Sequence, residues 1–240
     1  MEQPVVAIDA EQARRIVERA RADGRSVLDE SESLDLLDVC GIPTCSRQRV
    51  EVVAGKTGLR EAAARLGPRV VIKGIVAGVS HKTGSGLVHA GFGDVQDVDR
   101  AADAIAEAGG DRLRAFLVQA HVDSVRELAC GLVRDASFGP SVMVGFGGVH
   151  AELVHDTSLR VAPLGGGDAG AMLAELRTTD LLGPYRGAAP ADTAAIGRIL
   201  VALGDLGLAV DELSELDVNP LMITSGGAPV AVDALAVVSH

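Results

Sequence analysis

Between Ala62 and Gly93 there is no Asp or Glu, in a chain that has 33 acidic residues and a formal net charge of −11. The same window carries Arg65, Arg69, Lys73, His81, Lys82 and His89, interleaved with Gly74, Gly78, Gly84, Gly86, Gly91 and Gly93. Glycine lets backbone N–H groups approach an anion, and a lysine ammonium adds a compact charge. Lysine occurs only at Lys56, Lys73 and Lys82, so two of the three fall in this window. On composition alone, an anion-seeking loop and a hairpin that happens to lack acids fit equally well. A Walker P-loop is excluded, because no GxxxxGK[ST] is present. His81 is the sharpest single candidate, since one neutral imidazole nitrogen can accept a phosphoryl group while the other is held. The plainer reading is a surface loop histidine. The other histidines form no metal triad.

Three further constellations could carry chemistry. Gly145-Phe146-Gly147-Gly148 follows an apolar strand pattern and could cradle phosphate, although such clusters more often make a turn. Asp217 and Asn219, in Leu216-Asp217-Val218-Asn219-Pro220, share a face if that segment is extended. Asp233 closes Val230-Ala231-Val232-Asp233 on the next strand and could stand opposite them. Two carboxylates and an amide oxygen suit Mg²⁺ with bound phosphates, whereas spacing alone favours a solvated hairpin. Gln119 and Glu127 stand on two adjoining strands. A carboxylate there could bond a ribose hydroxyl, or pair with a surface arginine, its commoner fate.

The elements that must hold these residues are short and mixed. Helices are expected at 10–22, from Asp29–Ser31 to Gly41, at 57–66, from Asp94 to Ala108, and at 168–177 and 191–204. Strands are expected at 48–53, 69–73, from Leu87, and at 115–120, 126–133, 141–145, 158–162, 213–218 and 229–233. The strands are not spaced by regular helices, so the class is α+β with a mostly antiparallel second half. The 240 residues allow one large domain or two small ones. A core of Val, Leu, Ile and Ala follows from having only four Phe, one Tyr and no Trp. That scarcity and the negative charge argue against nucleic acid and anionic membranes as partners. Ile199–Val210 is too short to span a bilayer and contains Asp205. The N-terminus lacks the regions of a signal peptide, and Cys40, Cys45 and Cys130 form no CxxC pair, so a cytoplasmic protein with buried thiols is expected.

Taken in order, the segments resemble the ATP-grasp domain of the ADP-forming acyl-CoA synthetases, relatives of the succinyl-CoA synthetase β subunit. The resemblance runs from Val27 to Val237. It is carried by Gly41-Ile42-Pro43, Val70-Val71-Ile72-Lys73, Ser80-His81-Lys82-Thr83, Leu117-Val118-Gln119 and Glu127-Leu128. It continues through Phe138-Gly139-Pro140, Gly145-Phe146-Gly147-Gly148, Leu159 to Leu164, Tyr185-Arg186-Gly187, Leu216 to Pro220 and Ala231 to Ala234. The family's fold implies two α+β subdomains with the nucleotide between them, at 25–112 and 113–240 after a helical extension at 1–24. It also implies ATP or ADP and Mg²⁺ as cofactors. Lys73 would contact phosphates, Gln119 would lie at the adenine hinge and Glu127 would reach the ribose. Arg160, Gly147 and Gly148 would complete the nucleotide contacts. Asn219 and Asp233, with Asp217 beside them, would hold the metal. His81 matches the histidine that relays a phosphoryl group to and from a phosphohistidine on the α part.

Two stretches depart from the family pattern. Gly84-Ser85-Gly86-Leu87 stands where an acidic residue and two glycines are usual, and Asp123-Ser124-Val125 stands where Pro-Gly-Gly is usual. No GxGxxG follows the first strand, so no CoA-binding Rossmann segment is evident. The expectation is therefore a nucleotide-binding β subunit. Its partner would be a CoA-binding α subunit carrying the acyl site and a phosphohistidine, in an α2β2-type assembly. Two alternatives stand beside it: a freestanding ATP-grasp carboxylate–amine ligase, and a non-catalytic nucleotide-binding or scaffolding subunit.

Overall fold

A computed structural model describes residues 8–78, 86–92, 94–147, 156–165, 167–184 and 187–239. His81 and Gly148, both expected in the site, lie outside the described residues. The chain divides into two compact units, Cys45–His121 and the remainder, Met1–Thr44 with Val122–His240.

The 45–121 unit is one sheet and two helices. Its strands are β1 (Arg47–Glu51), β2 (Val70–Val76), β3 (Val88–Phe92) and β4 (Leu113–Ala120), paired antiparallel in the order β1-β4-β2-β3. Helices α3 (Gly55–Leu66) and α4 (Val95–Gly109) cover one face. Val50, Val70, Ile72, Val76, Phe116 and Val118 meet Leu59, Ala62, Val98 and Ile105 there. The strand alternation that sends those residues inward leaves Val71, Lys73, Leu117 and Gln119 on the other, helix-free face. Gly74 is the inward residue next to Lys73. A Cβ on it would stand 2.7 Å from Ile105 Cγ2, so glycine lets α4 seat closely.

The second unit contains helices α1 (Ala10–Ala22) and α2 (Glu30–Val39), followed by strands β5 (Ser124–Asp135), β6 (Gly139–Phe146) and β7 (Thr157–Val161). Next come helices α5 (Asp168–Glu175) and α6 (Thr193–Ala209), then strands β8 (Leu213–Thr224), β9 (Pro229–Ala231) and β10 (Ala234–Val238). The sheet order is β10-β8-β5-β6-β7, with β9 also on β8, and every strand pairing is antiparallel. Helix α6 packs on β5 and β6, α5 on β7 and α2 on β10. Leu128, Cys130, Leu132, Val142, Val144, Leu216 and Val218 face these helices and are almost fully buried.

Four features differ from the sequence expectations, each for a local reason. Helix α1 is part of the unit rather than an extension: it buries Ala13, Val17 and Ala20 and packs on α2 and α6, and Arg14 Nε donates to Ala209 O at 3.0 Å. Strand β4 falls on the other side of the expected 112/113 boundary, because it pairs with both β1 and β2. Helix α6 continues past Gly204, where the glycine permits close approach: Cβ atoms at 204 and 207 would stand 3.2 Å from Leu164 and 2.7 Å from Pro140. Strand β8 runs through Pro220, which lacks an N–H, because a bulge takes up the proline. From Leu128 to Cys130 the partner on β8 moves from Leu221 to Val218, three residues against two.

Gly131 lies opposite Asp217, and a Cβ on it would be 2.3 Å from Leu216 O. Backbone in the centre of a sheet cannot yield that distance cheaply. Gly131→Ala should cost about 1–3 kcal/mol of stability, read as a lower urea midpoint at unchanged slope.

Candidate functional site

In the 45–121 unit, two rows of side chains cross the helix-free face. One row is Arg47, Gln119, Val71 and Ala90; the next is Arg49, Leu117, Lys73 and Val88. Lys73 is thus one strand over and two residues along from Gln119. Among the described residues of this unit, α3 and α4 pack on the opposite face, yet Lys73 is 6% exposed and Gln119 2%. A buried ammonium next to a buried amide, over an apolar floor of Val71 and Leu117, suits a phosphate at one end and a polar ring edge at the other. Arg47 and Arg49 share this face, and the motif spacing did not single them out. Strand alternation in 47–51 is the signal that could have found them. His121 contacts Arg69 Nη2 at 3.1 Å and His89 contacts Gly86 O at 3.1 Å, so both have local roles.

In the other unit, strand parity places Glu127 on the helix-free face, since its neighbours Arg126 and Leu128 face the helices. Asp217 shares that face through its pairing with Gly131. Between them the floor consists of Ala129, Gly131 and Gly145, with Gly147 alongside, so a flat ligand could lie against the strands. Gly147 N–H donates to Glu127 O at 2.8 Å, which sets it beside the carboxylate. Among the described residues, no hydrogen bond or ion pair engages the Glu127 side chain. Beneath this floor, burial and then the charge of Asp217 push the Cys130 thiol up to about 12, so it stays protonated. Cys40, Cys45 and Cys130 are all buried thiols.

Asn219 stands on the bulge, exposed, two residues from Asp217. Ala234 pairs with Val218, and Val232 N–H donates to Pro220 O at 3.4 Å, so Asp233 is carried alongside Asn219. Asp217, Asn219 and Asp233 are thus neighbours along the paired backbone of β8 and β10, and they offer two carboxylates and an amide oxygen. These hard oxygens fit Mg²⁺, which takes one or two carboxylates and keeps waters and phosphate oxygens for the rest. Among the described residues no cluster of three or more His, Cys, Asp or Glu able to hold a metal occurs.

Arg160 is placed differently. It pairs with Val142, which faces α6, so its side chain lies on the helix side of the sheet, away from the face of Glu127 and Asp217. There it forms an ion pair with Glu175 of α5, and Ser158 Oγ donates to the same carboxylate at 2.7 Å. An edge strand beside a helix gives such an arginine a local partner, and the polar alternation of Ser158 and Arg160 reflects that contact.

Asp156 marks the return of the chain to the sheet. Burial raises its pKa, but bonds from the Thr178 hydroxyl and from the Arg177 and Thr178 amides, both at 2.8 Å, outweigh burial and hold it below its usual value. A depressed carboxylate stabilises the fold above its unfolded-state pKa, and that support is lost as the pH falls through the folded value.

Residues 19–238 match the profile of a family described as an ATP-grasp domain. The chain is 30% identical to the β subunit of ADP-forming acetate–CoA ligase I of Pyrococcus furiosus, over 92% of this chain and 96% of that one. It is 32% identical to ADP-forming acetate–CoA ligase I of Archaeoglobus fulgidus, over 92% of this chain but only 32% of that protein. Two solved structures of acetyl-coenzyme A synthetase 1 from Ca. Korarchaeum cryptofilum each cover 95% of this chain and are covered completely by it. One, with coenzyme A and Ca-AMPCP, has a TM-score of 0.89 at 32% identity. The other, with coenzyme A and Mg-AMPPCP, has a TM-score of 0.81 at 33% identity, and its phosphohistidine segment points towards the nucleotide binding site.

Proposed function

The chain belongs to the ATP-grasp family and, within it, to the β subunits of the ADP-forming acyl-CoA synthetases; from that premise we propose how its residues divide the work. Lys73 contacts the nucleotide phosphates, Gln119 reads the base edge, and Glu127 accepts a hydrogen bond from the ribose, with Gly147 and Gly148 beside it. Asn219, Asp233 and Asp217 hold Mg²⁺, which when bound neutralises charge on the phosphates. Arg160 holds α5 through Glu175 and takes no part in phosphate binding.

His81 carries the phosphoryl group. Its free imidazole nitrogen forms a P–N bond as the bond to the partner's phosphohistidine breaks. ADP oxygen then displaces the phosphoryl group from His81, giving ATP and restoring the imidazole. The reverse sequence serves acyl-CoA formation. The relay divides one long transfer into two short ones. The partner is a CoA-binding α subunit that carries the acyl site. The assembly is of the α2β2 type, the setting is the cytoplasm, and the overall reaction interconverts acyl-CoA, ADP and phosphate with carboxylate, CoA and ATP.

One observation carries this reading: Glu127, Asp217 and a floor of small residues share one sheet face, with Asp233 brought beside Asn219. Reconstitution tests it. The chain, a CoA-binding α chain, ATP, Mg²⁺, CoA and a carboxylate should yield ADP and acyl-CoA only when both chains are present. Acyl-CoA from this chain alone would contradict the two-chain reading. Ligation of a carboxylate to an amine without a partner would favour the freestanding ligase.

A further inference from the structure

Arg126 precedes Glu127 on β5 and faces the opposite side of the sheet. The residue is 7% exposed, and Nη2 donates to Gly183 O at 2.7 Å and to Ala189 O at 3.0 Å. The neighbourhood of those two carbonyls is held by bonds from Ala191 N–H to Leu182 O at 2.8 Å and from Ala189 N–H to Ser225 O at 3.0 Å. Among the described residues no carboxylate pairs with Arg126, and its Nε and Nη1 are buried without a partner. A guanidinium buried without a counter-charge is a poor source of stability, so its presence calls for another reason.

That reason lies in the strand register. Ser124 pairs with Thr224 and Arg126 with Ile223, so Val125 is the extra residue of a bulge immediately before Glu127. A bulge re-aims the side chains beside it, and a slip of one residue sends a side chain to the other face. On the C-terminal side of Glu127, fully buried Leu128 fixes the phase. On the N-terminal side, the tether from Arg126 to two carbonyls does so.

We infer that Arg126 is a positioning residue for Glu127: anchored on the helix side, it holds the bulge at Val125 and keeps the Glu127 carboxylate on the helix-free face. This rests on the reading of Glu127 as the ribose contact. The test compares Mg²⁺-dependent binding of ATP and of 2′,3′-dideoxy-ATP by calorimetry, using the full chain as wild type, E127Q, R126M and R126K. The wild type should prefer ATP by roughly tenfold or more, the worth of a charge-assisted hydrogen bond. E127Q should lose that preference. R126M should lose it to the same extent while binding dideoxy-ATP as the wild type does, which also shows that the variant is folded. R126K should fall between, since its ammonium can donate to both carbonyls as Nη2 does but a flexible stem holds it less firmly than the planar guanidinium, and R126M/E127Q should lose nothing more than either alone. R126M with the wild-type ATP preference would overturn the inference, whatever its melting temperature. So would loss of dideoxy-ATP binding in both Arg126 variants, which marks a general structural role. An unchanged preference in E127Q would remove the ribose reading and the inference together.

Discussion

Alanine at position 81 should leave Mg·ATP binding essentially unchanged while partner-dependent acyl-CoA formation falls by on the order of 10³-fold or more. The two effects separate because nucleotide affinity is assigned to Lys73, Gln119, Glu127 and the metal residues, and none of these is altered. The imidazole is needed only when the phosphoryl group changes carriers. Without it, the partner's phosphohistidine and the nucleotide would have to react directly, and the geometry that a relay supplies would be lost. Calorimetry gives the binding arm, and coupled release of ADP with acyl-CoA gives the turnover arm. Turnover that survives the substitution with its partner present would show that His81 is not the carrier. A matching loss of ATP binding would instead place it among the nucleotide contacts.

Asp233→Ala should weaken Mg·ATP binding by on the order of 100-fold and abolish turnover, with little change in metal-free nucleotide binding. Asp233, in the link between β9 and β10, is carried alongside Asn219 of β8 by the pairing of Ala234 with Val218 and the bond from Val232 N–H to Pro220 O. Removing one carboxylate leaves Asp217 and an amide, too little charge to hold a hard dication against water. Magnesium titration at fixed nucleotide reads the effect directly: the midpoint should move to much higher Mg²⁺ in Asp233→Ala, and EDTA should bring the wild type to the variant's affinity. Equal magnesium dependence in the two proteins would place the metal elsewhere.

Much of this arrangement is legible in the residues. The strand patterns at 48–53, 69–73 and 115–120, capping at Asp29 and Asp94 and the aliphatic composition yield an α+β chain with a mostly antiparallel second half, and the observed pairings are antiparallel. The site residues were legible only as weak pieces in an expected order. What could not be read were features that depend on neighbours distant in sequence. Gly204 looks like a helix stop until Leu164 and Pro140 show why α6 needs small residues there. Pro220 looks like a strand end until the register with β5 shows a bulge that absorbs it. The family resemblance puts Arg160 among the nucleotide contacts, yet the partner of its strand sends it to the helix side and to Glu175. Arg126 gives no sequence signal of its role, because nothing near it in sequence reveals the carbonyls of Gly183 and Ala189.

The central claim is that this chain carries the phosphoryl group on its own histidine. Incubating it with γ-labelled ATP and Mg²⁺, with and without the α subunit, and mapping the label tests that claim most directly. The account predicts label on His81 that is stable in base and labile in acid, discharged by ADP and passed on when the α subunit is added. Label that appears only on the α subunit, with His81 unmodified under every condition, would contradict it.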